Sequence, residues 1–356
     1  MSESKLTRAE LLAKVLDGEP VREVTLSGCD LTDADFSHAV FEKVDFRGCE
    51  MRGSQFKDSI LAGCRFDGND LVTSQWQGAA LADCNFTGAA MRRTQMAKSR
   101  GSGNQFNECD FGSADLSDCA WAQCSFVDAL LDKTLLDQCV FAQCTTLRID
   151  LREAQLRNTI LVGADLRAAR LDGARFEQVV LNQVDLRGAQ LPGFRFDRSQ
   201  MMEAKLDGAN LKGAGLSQVG FKSASLVGAC MDGADASNAV FVEAKLESAT
   251  MRGAKMTQAL FVDANLQAAD LSRATLYQAI FHRAHCAGAR FGGADLQYAD
   301  FSHADVTSAS FEDATWLRTK FHGATRTGTN LPAAASILLD DPDLLEAEHH
   351  PLNRNR

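Results

Sequence analysis

A large apolar residue falls at every fifth position from Leu26 to Phe321. Of the sixty positions in this phase, only Gly101, Thr146, Ala236 and Cys286 are not large and apolar. A small residue recurs two positions before each of them, as in Ala264-Asn265-Leu266 and Ala269-Asp270-Leu271. No insertion shifts the phase, so the repeat leaves no long loop on which a site could be mounted.

A period of five is neither the 3.6 of a helix nor the 2 of a strand. The large residue and the small one two before it share parity, so a short extended piece can point both inward. The remaining residues, rich in Gly, Asp, Asn, Ser and Gln, must then turn the chain. Each pentapeptide is one short side and one corner. Such sides close into a coil, and coils stack with the large residues in internal ladders. From Ala224 to Ala314 the small slot is alanine at nineteen consecutive repeats, which implies a narrow, filled interior.

The pattern of Ala114-Asp115-Leu116, Ala164-Asp165-Leu166 and Ala294-Asp295-Leu296 resembles the pentapeptide-repeat proteins over about nine-tenths of the chain. The resemblance implies an all-β solenoid, a right-handed quadrilateral β-helix with four pentapeptides per coil. Sixty repeats then make about fifteen coils.

Three segments follow. Residues 1–23 are expected to form an N-terminal helical cap, with Thr7 and Glu10 as a capping box and Gly18 and Pro20 as the stop. Residues 24–325 carry the repeat. Residues 326–356 are read as a helix over Ala333–Leu339 and a polar tail. Local bulges or bends are expected where the repeat loses its centre, at Gly101 and Thr146.

The net charge of -10 argues against binding nucleic acid through its phosphates. No apolar run is long enough to span a bilayer, and the polar start carries no signal-peptide core. The expected location is the cytoplasm. Nine of the eleven cysteines, from Cys29 to Cys144, sit in the small slot, so cysteine reads as a small buried hydrophobe rather than as metal or redox chemistry.

With four repeats per coil, residues twenty apart share a face. One outward column is apolar: Val40, Ile60, Val140, Ile160, Val180, Val240, Leu260 and Ile280, joined by Val162, Val242 and Val262 just past the centres. A stripe of this kind marks an interaction face, for a second copy or for another protein. Small β-branched residues also simply suit a flat sheet. A second candidate is the arginine group Arg148, Arg152, Arg157, Arg167, Arg170, Arg175, Arg187, Arg195 and Arg198, which could meet an acidic partner. The seven carboxylates among them favour cross-coil ion pairing instead.

His282, His303 and His322 stack near one another by column, but no carboxylate stands in a clear ligand position, so no metal or cofactor site is assigned. Phosphate loops, zinc-protease motifs and nucleophile elbows are missing, and no catalytic residue is assigned. The expectation is a non-enzymatic protein-binding solenoid. The lead-in Leu6-Thr7-Arg8-Ala9-Glu10-Leu11-Leu12 is similar to that of pentapeptide-repeat modules in bacterial type VI secretion accessory proteins. That resemblance implies an adaptor or immunity-like protein whose partner is a secreted effector or secretion component. Two alternatives stand beside it: a DNA mimic that protects DNA gyrase, using the column Asp30, Glu50, Asp70, Asp110 and Asp150, and a structural homodimeric rod.

Overall fold

The computed structural model describes residues 6–26, 28–331 and 336–349. The chain divides into two compact units, Met1–Val184 and Asp185–Arg356.

In the first unit, helix α1 spans Arg8–Leu16. The capping box forms: Thr7 Oγ1 accepts the Glu10 N–H at 3.3 Å, and Glu10 Oε2 accepts the Thr7 N–H at 2.8 Å. Gly18, at φ 71°, ends the helix in a Schellman motif, with Glu19 N–H bonded to Lys14 O at 2.8 Å and Gly18 N–H to Val15 O at 3.0 Å. Leu11 is fully buried, and Arg8 donates to Asp30 O at 2.8 Å and Thr32 O at 3.2 Å. The helix is thereby docked on the first coil.

Seven parallel strands follow: β1 (Val21–Arg22), β2 (Val40–Glu42), β3 (Ile60–Ala62), β4 (Ala80–Ala82), β5 (Arg100–Ser102), β6 (Ala120–Ala122) and β7 (Val140–Ala142). Each pairs with the next at an offset of twenty, as in Val21↔Phe41 and Phe41↔Leu61. Another short pair, β8 (Gln155–Arg157) and β9 (Arg175–Glu177), lies on a different side of the coil. Elsewhere the sides are single-residue bridges with the same offset, such as Asp30↔Glu50.

The corners explain why the period is five. In a typical corner the small residue's N–H returns to the centre's carbonyl, as in Ala34 N–H to Leu31 O at 3.1 Å. The residue between them, Asp33, is left-handed at φ 53°. That is a type II turn, whose third position requires positive φ. Several small-slot residues with a polar hydrogen add a bond to the centre carbonyl of the coil before. Cys109 Sγ reaches Phe86 O at 2.8 Å, Ser99 Oγ reaches Trp76 O at 2.6 Å, and Thr134 Oγ1 reaches Phe111 O at 3.0 Å. The thiols are therefore donors as well as packing groups.

The bulge expected at Gly101 does not form. Leu81↔Gly101 and Gly101↔Trp121 stay in register. The missing side chain is replaced by that of Asn104, which turns inward and donates to Leu81 O at 3.0 Å. A Cβ on Gly101 would stand 2.4 Å from both Asn104 Nδ2 and Leu81 O, so glycine is required here. At Thr146 the bridge Ser125↔Thr145 also holds, and Thr146 is 1% exposed. Beyond it, the three-residue sides move from the β2–β7 face to the β8–β9 face.

In the second unit the small-slot alanines from Ala224 to Ala304 are buried. Phe221, Phe241, Phe261, Phe281, Phe301 and Phe321 stack at centroid spacings of 4.4–5.1 Å, with planes within 9° of parallel. The filled interior read from the alanines is what the structure contains.

The helix expected over Ala333–Leu339 is corrected. Residues 332–335 lie outside the described set, and Ile337–Leu338 is strand β11, parallel to β10 (Thr319–Lys320). Phe321 N–H bonds Leu338 O at 2.8 Å and Ile337 is 5% exposed, so these residues continue the pairing of the coil before them. Helix α2 is Pro342–His349. Asp341 Oδ1 caps it, accepting the Asp343 and Leu344 N–H groups at 3.1 and 3.2 Å, and proline occupies its first position.

Candidate interaction surfaces

In the first unit the apolar column is built by parallel pairing. Val40 faces Ile60, and Val140, Ile160 and Val180 follow one another by bridges. Arg100 interrupts them, in register with Ala80 and Ala120. Their side chains point away from the core because each precedes an inward centre, by the alternation of an extended chain. Ile60 is 53% exposed and Val162 38%, while Val40, Val140, Ile160 and Val180 are half-buried by their column neighbours. In the second unit Val240↔Leu260 and Leu260↔Ile280 form the same kind of ladder, flanked by half-buried Val242 and Val262. It runs into Gly220 on one side and Asp300 on the other. Asp300 is bonded to Ser302 and stands 3.0 Å from His282 and 3.4 Å from Lys320.

Most of the candidate arginines are engaged with carboxylates. In the first unit Arg148 meets Asp128 at 2.5 Å, Arg157 meets Asp137 at 3.1 Å, and Arg167 meets Asp165 at 2.8 Å. Arg152 and Arg170 share Asp150, at 2.7 and 3.5 Å. In the second unit Arg187 meets Asp185 at 2.6 Å and Arg195 meets Asp197 at 2.8 Å. Arg175 and Arg198 are exposed. Asp150 is only 1% exposed, and burial pushes its carboxyl pKa up. The hydrogen bonds and charge of Arg152, with Arg170 behind, outweigh that and hold it below the usual carboxylate value.

Four of the five carboxylates in the acidic column are likewise paired with arginine. Asp30 has Arg8 at 3.8 Å, Asp70 has Arg52 at 2.6 Å, and Asp110 has Arg92 at 2.9 Å. With Asp150 paired as above, the uncompensated carboxylate display that DNA mimicry would use is reduced.

A further cluster was legible only in part: the columns bring His303 and His322 together, but not the carboxylate between them. His303 and His322 lie edge to face with ring centroids 5.4 Å apart, and Glu348 of α2 reaches both. Its position, 26 residues past His322, belongs to no column, so no spacing signal could have placed it. His282 stands apart from them, against Asp300.

The twenty-residue offset, the inward centres and the left-handed corners form one pattern, and two sequence families describe it. The model of the family described as a pentapeptide repeat region matches residues 1–76 and 114–191. That of the pentapeptide repeats (8 copies) matches residues 79–118, 180–218, 221–258, 259–297 and 299–334. The chain belongs to the pentapeptide-repeat family. Structures of the family are right-handed quadrilateral β-helices, and this parallel solenoid has about 16 turns. The count exceeds the fifteen of the phased repeats because β1 and β11 extend the pairing beyond them.

No curated protein matches this pentapeptide-repeat chain. Among solved structures, HetL, a pentapeptide repeat protein involved in heterocyst differentiation regulation in the cyanobacterium Nostoc sp., is 20% identical, with 94% of this chain and 98% of that one covered and a TM-score of 0.23. QnrB1, a plasmid-mediated fluoroquinolone resistance protein, is 15% identical over 82% of this chain and 97% of that one, with a TM-score of 0.20. The A-module of the Azotobacter vinelandii mannuronan C-5 epimerase AlgE4 is 8% identical over 96% and 98%, with a TM-score of 0.21. At such scores none of the three adds to the family assignment. No described helix is long and apolar enough to cross a membrane.

Proposed function

We propose that this pentapeptide-repeat chain is a non-enzymatic solenoid that binds another protein through its outward aliphatic ladders. The carrying observation is the register Val240↔Leu260↔Ile280, with the matching Val140↔Ile160↔Val180 of the first unit. These side chains are unneeded by the core, which the centres and alanines already fill. Partly exposed aliphatic side chains in register offer a flat surface whose burial against a partner is favourable. Reading the chain as an adaptor or immunity-like protein of type VI secretion effectors rests on the similarity of its lead-in around Leu6–Leu12. The two-residue corners, which leave no catalytic loop, support the non-enzymatic reading.

The test is co-purification from a bacterial lysate together with light scattering of the isolated chain. Ile160→Lys and Leu260→Lys are expected to abolish capture of the partner while the fold is kept. Capture of an effector or secretion component supports the adaptor role. A mass twice that of the chain, lost in the same variants, would point to self-association as a homodimer. Unchanged mass and unchanged capture in both variants would end the proposal. The net charge of -10 keeps gyrase protection by DNA mimicry as the second reading, and a supercoiling assay with and without the protein decides it.

A further inference from the structure

His303 and His322 come from adjacent coils of the second unit, and Glu348 comes from the last turn of α2. We propose that these three side chains bind a divalent transition-metal ion of the zinc, nickel or copper class. Each offers one donor atom, and the three atoms lie within 4.8 Å of one another. His303 Nε2 is 3.4 Å from Glu348 Oε1, and His322 Nε2 is 3.3 Å from Glu348 Oε2. Donors about 2.0–2.1 Å from a tetrahedral ion stand about 3.3–3.4 Å from one another. Each imidazole already stands at that length from one carboxylate oxygen, His303 from Oε1 and His322 from Oε2, so a small turn of Glu348 would present one oxygen to both. These distances are long for charge-assisted hydrogen bonds, which run at about 2.7–2.9 Å. Two imidazoles and one carboxylate suit these ions, whereas calcium and magnesium take oxygen donors.

The surroundings fix the donors and leave an approach. The His303 ring lies against Gly323, where a Cβ would stand 2.5 Å from Nδ1, so the backbone of the next coil sets the ring's position. His322 is 7% exposed and is held from the far side by the Asp341 N–H, 3.2 Å from Nδ1. The His303 and Glu348 side chains are 40% and 35% exposed, which opens a further coordination position to water.

The Asp341 bond has a consequence. An imidazole that accepts at Nδ1 carries its proton on Nε2, here facing Glu348. Ion binding at Nε2 moves that proton to Nδ1 and releases the Asp341 N–H. One long hydrogen bond at the start of α2 is exchanged for a metal–nitrogen bond, while Glu348 ties the end of α2 to two coils.

The experiment is titration of the full chain with Co²⁺ and then Zn²⁺ in chelator-free buffer. Visible absorption and calorimetry follow binding, and amide exchange follows Asp341. The expected result is one ion per chain with absorption bands of nitrogen and oxygen ligation. Asp341 exchanges faster when the ion is bound. His303→Gln and Glu348→Gln each weaken binding by at least about tenfold, and His282→Gln leaves it unchanged. If His303→Gln does not fold, Glu348→Gln, on a helix outside the coils, decides. Three results would overturn the proposal: affinity unchanged in both variants, thiolate charge-transfer bands that place the ion on cysteine, or no saturable binding. All three leave the aliphatic ladders and their partner untouched, so the two proposals fail separately.

Discussion

Asn104 Oδ1 accepts the Cys84 N–H of the preceding coil at 2.9 Å, while its Nδ2 donates to Leu81 O at 3.0 Å. One side chain thus satisfies two backbone groups at an open corner and occupies the space that Gly101 leaves. Gly101 and Asn104 work as a pair, three residues apart in sequence and joined through the coil before them.

Asn104→Ala is therefore expected to leave a buried N–H unpaired and a void beside Gly101. The cost of the unpaired group alone is about 1–3 kcal/mol. Urea unfolding of the first unit's transition measures it, and a loss below a few tenths of a kcal/mol would contradict the role given to Asn104.

The thiols make a second prediction. Burial pushes the Cys49 pKa up to about 11, and Cys109 is driven up by burial as well. The thiolate is the nucleophile, so these cysteines are expected to resist alkylation in the native chain at pH 8. Labelling should fall first on Cys29 and Cys230, which are partly exposed, ahead of Cys144, whose pKa is pushed up by its contact with Cys124 and by burial. Mass spectrometry after a short iodoacetamide pulse reads the order. Early modification of Cys109 would show that the coil opens far more readily than its packing implies.

Asp150 gives the pH dependence. Its folded pKa lies below the ordinary carboxylate value of about 3.9. A lowered pKa contributes stability that is fully present above the unfolded value and is lost as pH falls through the folded one. Asp150→Asn is accordingly expected to destabilise the chain at pH 7 and to match the parent more closely at acid pH. Denaturation curves for both chains across this range check the sign. A deficit that stays constant down to acid pH would show that packing, and not charge, is what Asp150 supplies.

The coil and its ladders were legible because they follow from a period that neither helix nor strand supports. Leu26 and Phe321 lie inside for the same reason, and so do the buried cysteines. What the repeat hid required geometry between coils. The inward turn of Asn104 compensates Gly101 only because Leu81 and Cys84 lie beside it. Ile337 and Leu338 follow an alanine run that favours helix locally, yet pairing with Thr319 and Lys320 places them in a strand. Glu348 reaches the histidines from outside the phase altogether. The apolar columns could be sorted by twenties, but how far Ile60 and Val162 project depends on their neighbours in the next coils.

The uniform offset of twenty also limits how such a chain can change in length. Deleting one residue anywhere in the repeat would move every later centre out of its slot, setting turn residues in the core and phenylalanines in water. Deleting or duplicating twenty leaves each ladder intact. Changes in length by whole coils keep every ladder and every face in register, and one made before His303 leaves the histidine–glutamate cluster intact.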